Sequence, residues 1–287
     1  MIVFLNGDYL PRERACLSPE DRGFLFADAV YEVVRFHRGD PFHLAEHLER
    51  LAEGLAALRI EARADFFPEV ARRLLEENGL ADGDALVYAQ VSRGAAPRVH
   101  AFPPPGTRPT VFAFARESDP APAGPASRAI LLPDERWGRC DIKTVMLLPN
   151  VLAAQRAAEA GAIDAILVRD GLALEATKAN LFAVRDGTVR TAPNGPAILP
   201  GVTRGATIAA ARRLGIPVEE RALSVDELLG ASEVFLASTT LWTASLVEVE
   251  GRTIGDGRPG PVAARLKAEL QREFREPTPA PSGIAPR

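Results

Sequence analysis

Apolar residues recur along this chain in two periods, and the switches between them mark the elements. Ile2-Val3-Phe4-Leu5, then Asn6-Gly7, then Asp8-Tyr9-Leu10 reads as strand, tight turn and strand. Asn-Gly suits the left-handed backbone that a two-residue hairpin turn needs. Tyr31 to Phe36 alternates, is rich in β-branched residues and ends at the turn Arg38-Gly39-Asp40-Pro41. The period then changes. Leu44, Leu48, Leu51, Leu55 and Leu58 are spaced by four, three, four and three, which puts them on one face of a helix. A second helix is predicted from Phe67 to Asn78, stopped by Gly79. Residues 85–92 and 110–115 read as strands.

Residues 118–127 break the pattern with three prolines, a glycine and small residues, so an interdomain linker is expected there. An N-terminal α/β domain would span 1–117 and a second domain 128–276. The last eleven residues, 277–287, carry four prolines and read as a loose tail. The second half is predicted to hold a strand at 129–133, a helix from Asn150 to Ala160 and a strand at 163–171. A hairpin follows, turning at Asp186-Gly187, then an alanine-rich helix up to Gly215 and a strand at 233–239. Hairpins in the first half and mixed elements in the second indicate an α+β or mixed α/β fold in two domains.

Composition narrows the classes. With 47% hydrophobic and 25% charged residues the chain has material for a sizeable core, which excludes a disordered or disulfide-stapled protein. A net charge of −4 disfavours nucleic acid as a partner. Cys16 and Cys140 form no Cys/His cluster, so no metal site is expected. No apolar run approaches the roughly 20 residues that span a bilayer. Low cysteine and the lack of an export signal lead to the expectation of a cytoplasmic protein with no membrane partner.

Candidate chemistry is scattered. In the segment Ile198-Leu199-Pro200-Gly201-Val202-Thr203, Thr203 is expected to cap the alanine-rich helix, whose free N–H groups would suit an anion. Ser238, Thr239 and Thr240 put three hydroxyls at the carboxyl end of a strand. Lys143 stands among Ile142, Val145, Met146 and Leu147; burial disfavours an ammonium and frees its lone pair for a carbonyl carbon. Glu175 either faces water or pairs with a buried cation. Arg98 and His100 alternate on one side of an extended segment and together could grip a carboxylate. Each signal alone has a plainer explanation: a capped helix, a snorkelling lysine, a solvated basic loop.

Their order along one chain is more telling. The segments Phe4–Leu51, VSRGAAPRVHAFP, DIKT, LLPN, LEATKANLF, ILPGVTR and FLASTT together resemble the fold-type IV pyridoxal phosphate enzymes over roughly residues 2–275. That group contains D-amino acid aminotransferases, branched-chain aminotransferases and aminodeoxychorismate lyases. The resemblance implies pyridoxal 5′-phosphate lying between two domains and joined covalently to Lys143. Glu175 would bond the pyridine nitrogen, with Asn180 in support and Leu199 packed on the ring. Arg50, Val202, Thr203, Ser238 and Thr239 would hold the phosphate. Arg98-Val99-His100 together with Tyr31 looks most like the D-amino acid aminotransferases. There the arginine and histidine enter from the neighbouring subunit of a homodimer to hold the substrate carboxylate, with Thr240 also at the substrate.

The implied activity is ping-pong transfer of an amino group between a D-amino acid, of the D-alanine or D-glutamate type, and a 2-oxo acid. Four positions depart from the pattern. Ala27 and Ala29 stand where glycines are usual, Lys178 sits among small hydroxyl positions, and Trp242 is placed to narrow the substrate pocket. The alternatives are a branched-chain L-amino acid aminotransferase, an aminodeoxychorismate lyase, or a dimeric anion-binding protein with no enzymatic activity.

Overall fold

A computed structural model of the chain describes residues 1–118 and 126–276. The expected linker falls mostly, at 119–125, and the expected tail, 277–287, wholly outside the described residues.

The first half contains strands β1 (Ile2–Leu5), β2 (Asp8–Pro11), β3 (Ala29–His37), β4 (Asp40–Pro41), β5 (Asp84–Ser92) and β6 (Thr110–Glu117). Its helices are α1 (Arg22–Phe26), α2 (Leu44–Leu58) and α3 (Phe67–Glu77). The strands form one antiparallel sheet in the order β2-β1-β6-β5-β3-β4. Helix α2 has the bounds set by its leucines, and Leu51 and Leu55 are buried with Val30 of β3. Helix α3 packs Phe67, Val70, Leu74 and Leu75 against Val34 and Phe36 from the same strand.

The second half contains β7 (Ser127–Pro133), β8 (Asp164–Arg169), β9 (Leu172–Ala176), β10 (Asn180–Arg185), β11 (Thr188–Thr191), β12 (Val218–Glu220), β13 (Leu223–Ser224), β14 (Glu233–Ser238), β15 (Trp242–Val249) and β16 (Arg252–Thr253). Its helices are α4 (Leu148–Glu159), α5 (Val202–Arg213), α6 (Val225–Leu229) and α7 (Pro261–Arg275). Helix α4 begins two residues before the expected Asn150, with Pro149 in its first turn, where a missing N–H costs nothing.

This second sheet mixes directions: β7 runs parallel to both β8 and β15, and the other neighbours in that region are antiparallel. The path from β10 through β14, β15, β7, β8 and β9 returns to β10 where Asn180 pairs with Glu175. Those strands therefore close on themselves and hide their edges. The interior of the ring is small and filled accordingly, by Ala129, Ala173, Ala183, Ala244, Leu181 and Leu236. Among the described residues no helix is long and apolar enough to cross a membrane.

Candidate active site

A cavity of about 640 Å³ lies where β3 of the first sheet faces the rim of the closed strand ring. Tyr31, Arg50, Lys143, Glu175, Asn180, Leu199, Val202, Thr203, Ser238, Thr239 and Thr240 all line it. These residues come from distant parts of the chain, and the local structure shows how each is aimed.

Lys143 belongs to the connection between β7 and α4, beyond the carboxyl end of a strand with a parallel neighbour. The connection is stitched to β3. Tyr31 N donates to Lys143 O at 3.0 Å and Val145 N donates to Ala29 O at 3.2 Å, around a bridge between Val30 and Thr144. Ile142 is buried beside Val30, Leu51 and Leu55, so one neighbour of the lysine is locked into the core. The lysine side chain is half-buried, and its Nζ lies 4.2 Å from the centroid of the Tyr31 ring, whose face attracts a cation.

Glu175 is buried at the point that closes the ring of strands. Asn180 Nδ2 donates to its Oε2 at 3.1 Å, and Leu199 N donates to both oxygens at 3.1 and 3.2 Å. Arg136 Nη1 also donates to it, and the same guanidinium is held by Asp134 at 2.8 and 3.0 Å and by Ala197 O at 3.1 Å. Burial pushes the Glu175 carboxyl up to about 7 against the pull of Arg136 and the Leu199 N–H. The tight turn between Glu175 and Asn180 is held from behind by the buried Asp164, which accepts from Thr177 N at 3.0 Å and Thr177 Oγ1 at 2.6 Å.

Next to Asn180, the cavity wall carries groups that suit an anion. Helix α5 starts at Val202, with Gly201 in the cap position, and no side chain caps it. Thr203 is therefore not the cap expected from its position. It sits inside the first turn, buried, with its carbonyl accepting from Thr207 Oγ1 at 2.7 Å. An uncapped first turn leaves N–H groups and partial positive charge facing the cavity. Gly201 is required by close approach, since a Cβ there would collide with Asn180 Oδ1. Arg50 reaches the same corner and donates to Pro200 O at 3.0 Å. Its guanidinium is aimed by the buried Glu32, which accepts from Arg50 Nε at 2.7 Å, from Arg50 Nη2 at 2.9 Å and from His47 at 2.8 Å. Burial pushes Glu32 up, but Arg50 and His47 outweigh it and hold the carboxyl well below its usual range. The third wall is the Ser238–Thr240 loop, whose carbonyls at Thr239 and Thr240 accept from the buried Arg35 at 2.9 and 3.0 Å.

The model of the amino-transferase class IV family matches residues 29–247, three quarters of the chain and every segment that builds this cavity. The chain belongs to the class IV aminotransferases. Among curated relatives of this aminotransferase, a D-alanine aminotransferase from Bacillus licheniformis is 37% identical over 97% of this chain and 99% of its own. One from Staphylococcus haemolyticus is 35% identical over 92% and 95%. Among solved structures, a T.th. branched-chain amino acid aminotransferase with pyridoxamine 5′-phosphate superposes with a TM-score of 0.85, at 26% identity, over 96% of this chain and 95% of that one. The Escherichia coli branched-chain enzyme gives 0.83 at 26% identity, over 96% and 92%.

Two expected site residues do not reach the aminotransferase's cavity from within this chain. Arg98 and His100 are exposed, on an irregular loop of the first half. His100 instead borders a second cavity of about 330 Å³, together with Arg22, Asp28 and Arg93. Trp242 does not narrow the substrate pocket. It is buried against Phe42 and Phe274, with ring centroids 5.2 and 4.9 Å away, and under Arg35 at 4.6 Å. Ala27 has a left-handed φ of 56° as the residue that ends α1, and it borders the second cavity rather than the first. Ala29 is fully buried in β3, and the strand is unbroken there. Lys178 is exposed at the rim of the main cavity.

Sequence reading missed Arg136, Asp134, Glu32, His47 and Arg35. The first two lie far from Glu175 in sequence, so no local pattern reveals them. His47 and Arg50 are one helical turn apart, and that spacing was the available signal for a shared partner.

Proposed function

We propose that this aminotransferase moves an amino group between a D-amino acid and a 2-oxo acid, using pyridoxal 5′-phosphate, in a homodimer whose subunits complete each other's sites. The donor set of the cavity fits that cofactor. A lysine, an uncapped helix start with an arginine, and a buried carboxylate line one space, and these are the groups that an aldehyde, a phosphate and a pyridine nitrogen would need. When bound, the cofactor supplies an electron sink for the pair left on the substrate α-carbon as its proton departs.

The protein's own residues do the rest. The first-turn N–H groups of α5, Arg50 and the hydroxyls of Ser238 and Thr239 hold the phosphate. Glu175 accepts the hydrogen bond of the protonated ring nitrogen, and Leu199 packs on the ring. Lys143 Nζ takes the α-proton and gives it back on the other side of the transfer, serving as base and then acid. Tyr31, with Arg98 and His100 delivered by the second subunit, fixes the substrate carboxylate. The side on which that carboxylate is held decides which enantiomer turns its α-hydrogen toward Lys143.

The observation that carries this reading is the convergence of Lys143, Glu175, Arg50 and the uncapped α5 on one cavity. The choice of D-amino acids rests on Tyr31 with the Arg98–His100 pair, and on relatives named for D-alanine. A branched-chain L-amino acid aminotransferase is the second reading, favoured by the named structural neighbours and by Val33, Met146 and Leu147 in the cavity wall. Purified enzyme is given D-alanine and, separately, L-leucine, each with 2-oxoglutarate. Turnover of D-alanine, with bleaching of the cofactor's visible band, is expected. Turnover of L-leucine with none of D-alanine would overturn the D-amino acid reading. Protein that stays colourless after incubation with pyridoxal phosphate would overturn the cofactor.

A further inference from the structure

Residues 98–102 are all exposed and belong to no helix or strand, yet a carboxylate grip needs its donors held still. The structure contains a brace for that loop. Arg22, at the start of α1, is 3% exposed. Its Nη1 donates to Val99 O at 2.7 Å and to Ala101 O at 3.4 Å, and its Nη2 donates to His100 O at 3.4 Å. Three successive carbonyls thus converge on one guanidinium. Its remaining Nε donates to Asp28 Oδ2 at 2.9 Å.

Asp28 is in turn fixed by Arg93, whose Nε and Nη2 donate to it at 2.7 and 2.9 Å. Arg93 also donates to Leu58 O at 2.6 Å and Arg59 O at 2.9 Å, at the end of α2. The loop is therefore tied through two guanidiniums and one carboxylate to the helix that carries Arg50. The side chains are braced as well. Phe26 lies under both arginines, with Arg22 at 4.7 Å and Arg98 at 5.2 Å from its centroid, and meets the His100 ring edge-on at 5.7 Å.

We propose that Arg22, anchored on Asp28 and assisted by Phe26, is a positioning residue for the substrate carboxylate: it fixes the backbone of residues 99–101 and so sets where Arg98 and His100 point. This rests on the reading that Arg98 and His100 bind that carboxylate. Arg22 does not line the main cavity. It acts on the carboxylate grip and not on Lys143 itself, so its loss shows mainly in KM rather than in kcat.

Arg22→Lys is the informative variant. It keeps a cation beside Asp28, but one ammonium does not reach the carboxylate and three carbonyls together. Losing charge-assisted bonds of this kind is expected to raise KM for D-alanine about tenfold while kcat stays within about twofold. The inhibition constant of propionate, which is D-alanine without its amino group, rises in parallel. The cofactor's absorption band is unchanged, and backbone amides of 98–102 exchange hydrogen faster. Phe26→Leu, which alters no charge, gives the same KM-selective defect and serves if Arg22→Lys does not fold. Arg98→Ala is the control. If it raises KM and the Arg22 and Phe26 variants do not, the carboxylate reading stands and the brace is overturned. If Arg98→Ala leaves KM and propionate binding untouched, the carboxylate reading falls and the brace falls with it. A variant that loses kcat and cofactor together also overturns the proposal, since that is the mark of general damage.

Discussion

Glu175 offers the sharpest physical test, because its environment makes stability depend on pH in a defined direction. The carboxyl is 4% exposed and sits where the ring of strands closes. Burial raises it from 4.5 to about 7, even with Arg136 and the Leu199 N–H pulling the other way. A raised native value means that the native state holds the proton after the unfolded chain has released it. The stability contributed by this group is complete below about 4.5 and is lost as pH climbs through about 7. At 1.4 kcal/mol per unit, the loss is on the order of 3 kcal/mol. Glu175→Gln removes the titration and keeps the shape. At about pH 5 a protonated carboxyl and an amide carry the same charge, so wild type and variant should unfold at similar urea concentrations. By about pH 8 the difference between them should have moved in the variant's favour by about 3 kcal/mol. The measurement is urea unfolding of the cofactor-free protein across that range. A difference that stays flat, or that moves toward the wild type with rising pH, would refute the reasoning. Pyridoxal phosphate should flatten the wild-type slope, because a protonated ring nitrogen beside the carboxylate holds it ionised.

Three further outcomes are expected. Lys143→Ala should lower kcat by at least about 10²-fold, while the protein still takes up pyridoxal phosphate that dialysis can remove; turnover near the wild-type rate would remove Lys143 from the reaction. Gly201→Ala should weaken cofactor binding about tenfold in a fluorescence titration, because Asn180 must move and give up its bonds to Glu175 and Leu199; an unchanged Kd would mean that the corner yields freely. Ala27→Gly should stabilise the protein by about 1 kcal/mol in thermal unfolding, since the left-handed backbone there strains any residue with a Cβ. A fall in Tm would show that the lost methyl matters more than the strain.

What the sequence reveals and hides follows from the range of the forces. Helix α2 is legible to its ends, because leucines at helical spacing report a buried face directly. Helix α7 has an equally regular set, Ala263, Leu266, Leu270 and Phe274, but charged residues fill the positions between and dilute the pattern. The expected cap at Thr203 is a local preference overruled by packing: the helix is entered at Gly201, where the close approach of Asn180 leaves no room for a side chain, and Thr203 falls inside the first turn. The sequence leaves Glu175 open between water and a buried cation and does not point to Arg136, because their pairing exists only once β9 and the loop after β7 have folded together. Nearness in sequence to Thr240 puts Trp242 at the pocket, but its left-handed φ of 58° turns it into the core instead.

Strand β3 shows why so much chemistry can hang on so little chain. Its backbone at Ala29 and Tyr31 carries the Lys143 loop. Tyr31 and Val33 face the cavity, and Arg35, on the same side, holds the Thr239–Thr240 carbonyls. Glu32, pointing the opposite way, grips Arg50 and His47 on α2. The alternation of a strand thus sends neighbouring residues to the cavity and to Arg50 on α2. It also predicts that this strand does not tolerate an insertion. One added residue between Tyr31 and Glu32 would exchange the two faces, bury Arg35 against α3 and point Glu32 into the cavity. Side-chain substitutions in β3 should therefore degrade single functions, whereas a one-residue insertion should abolish folding and cofactor uptake together.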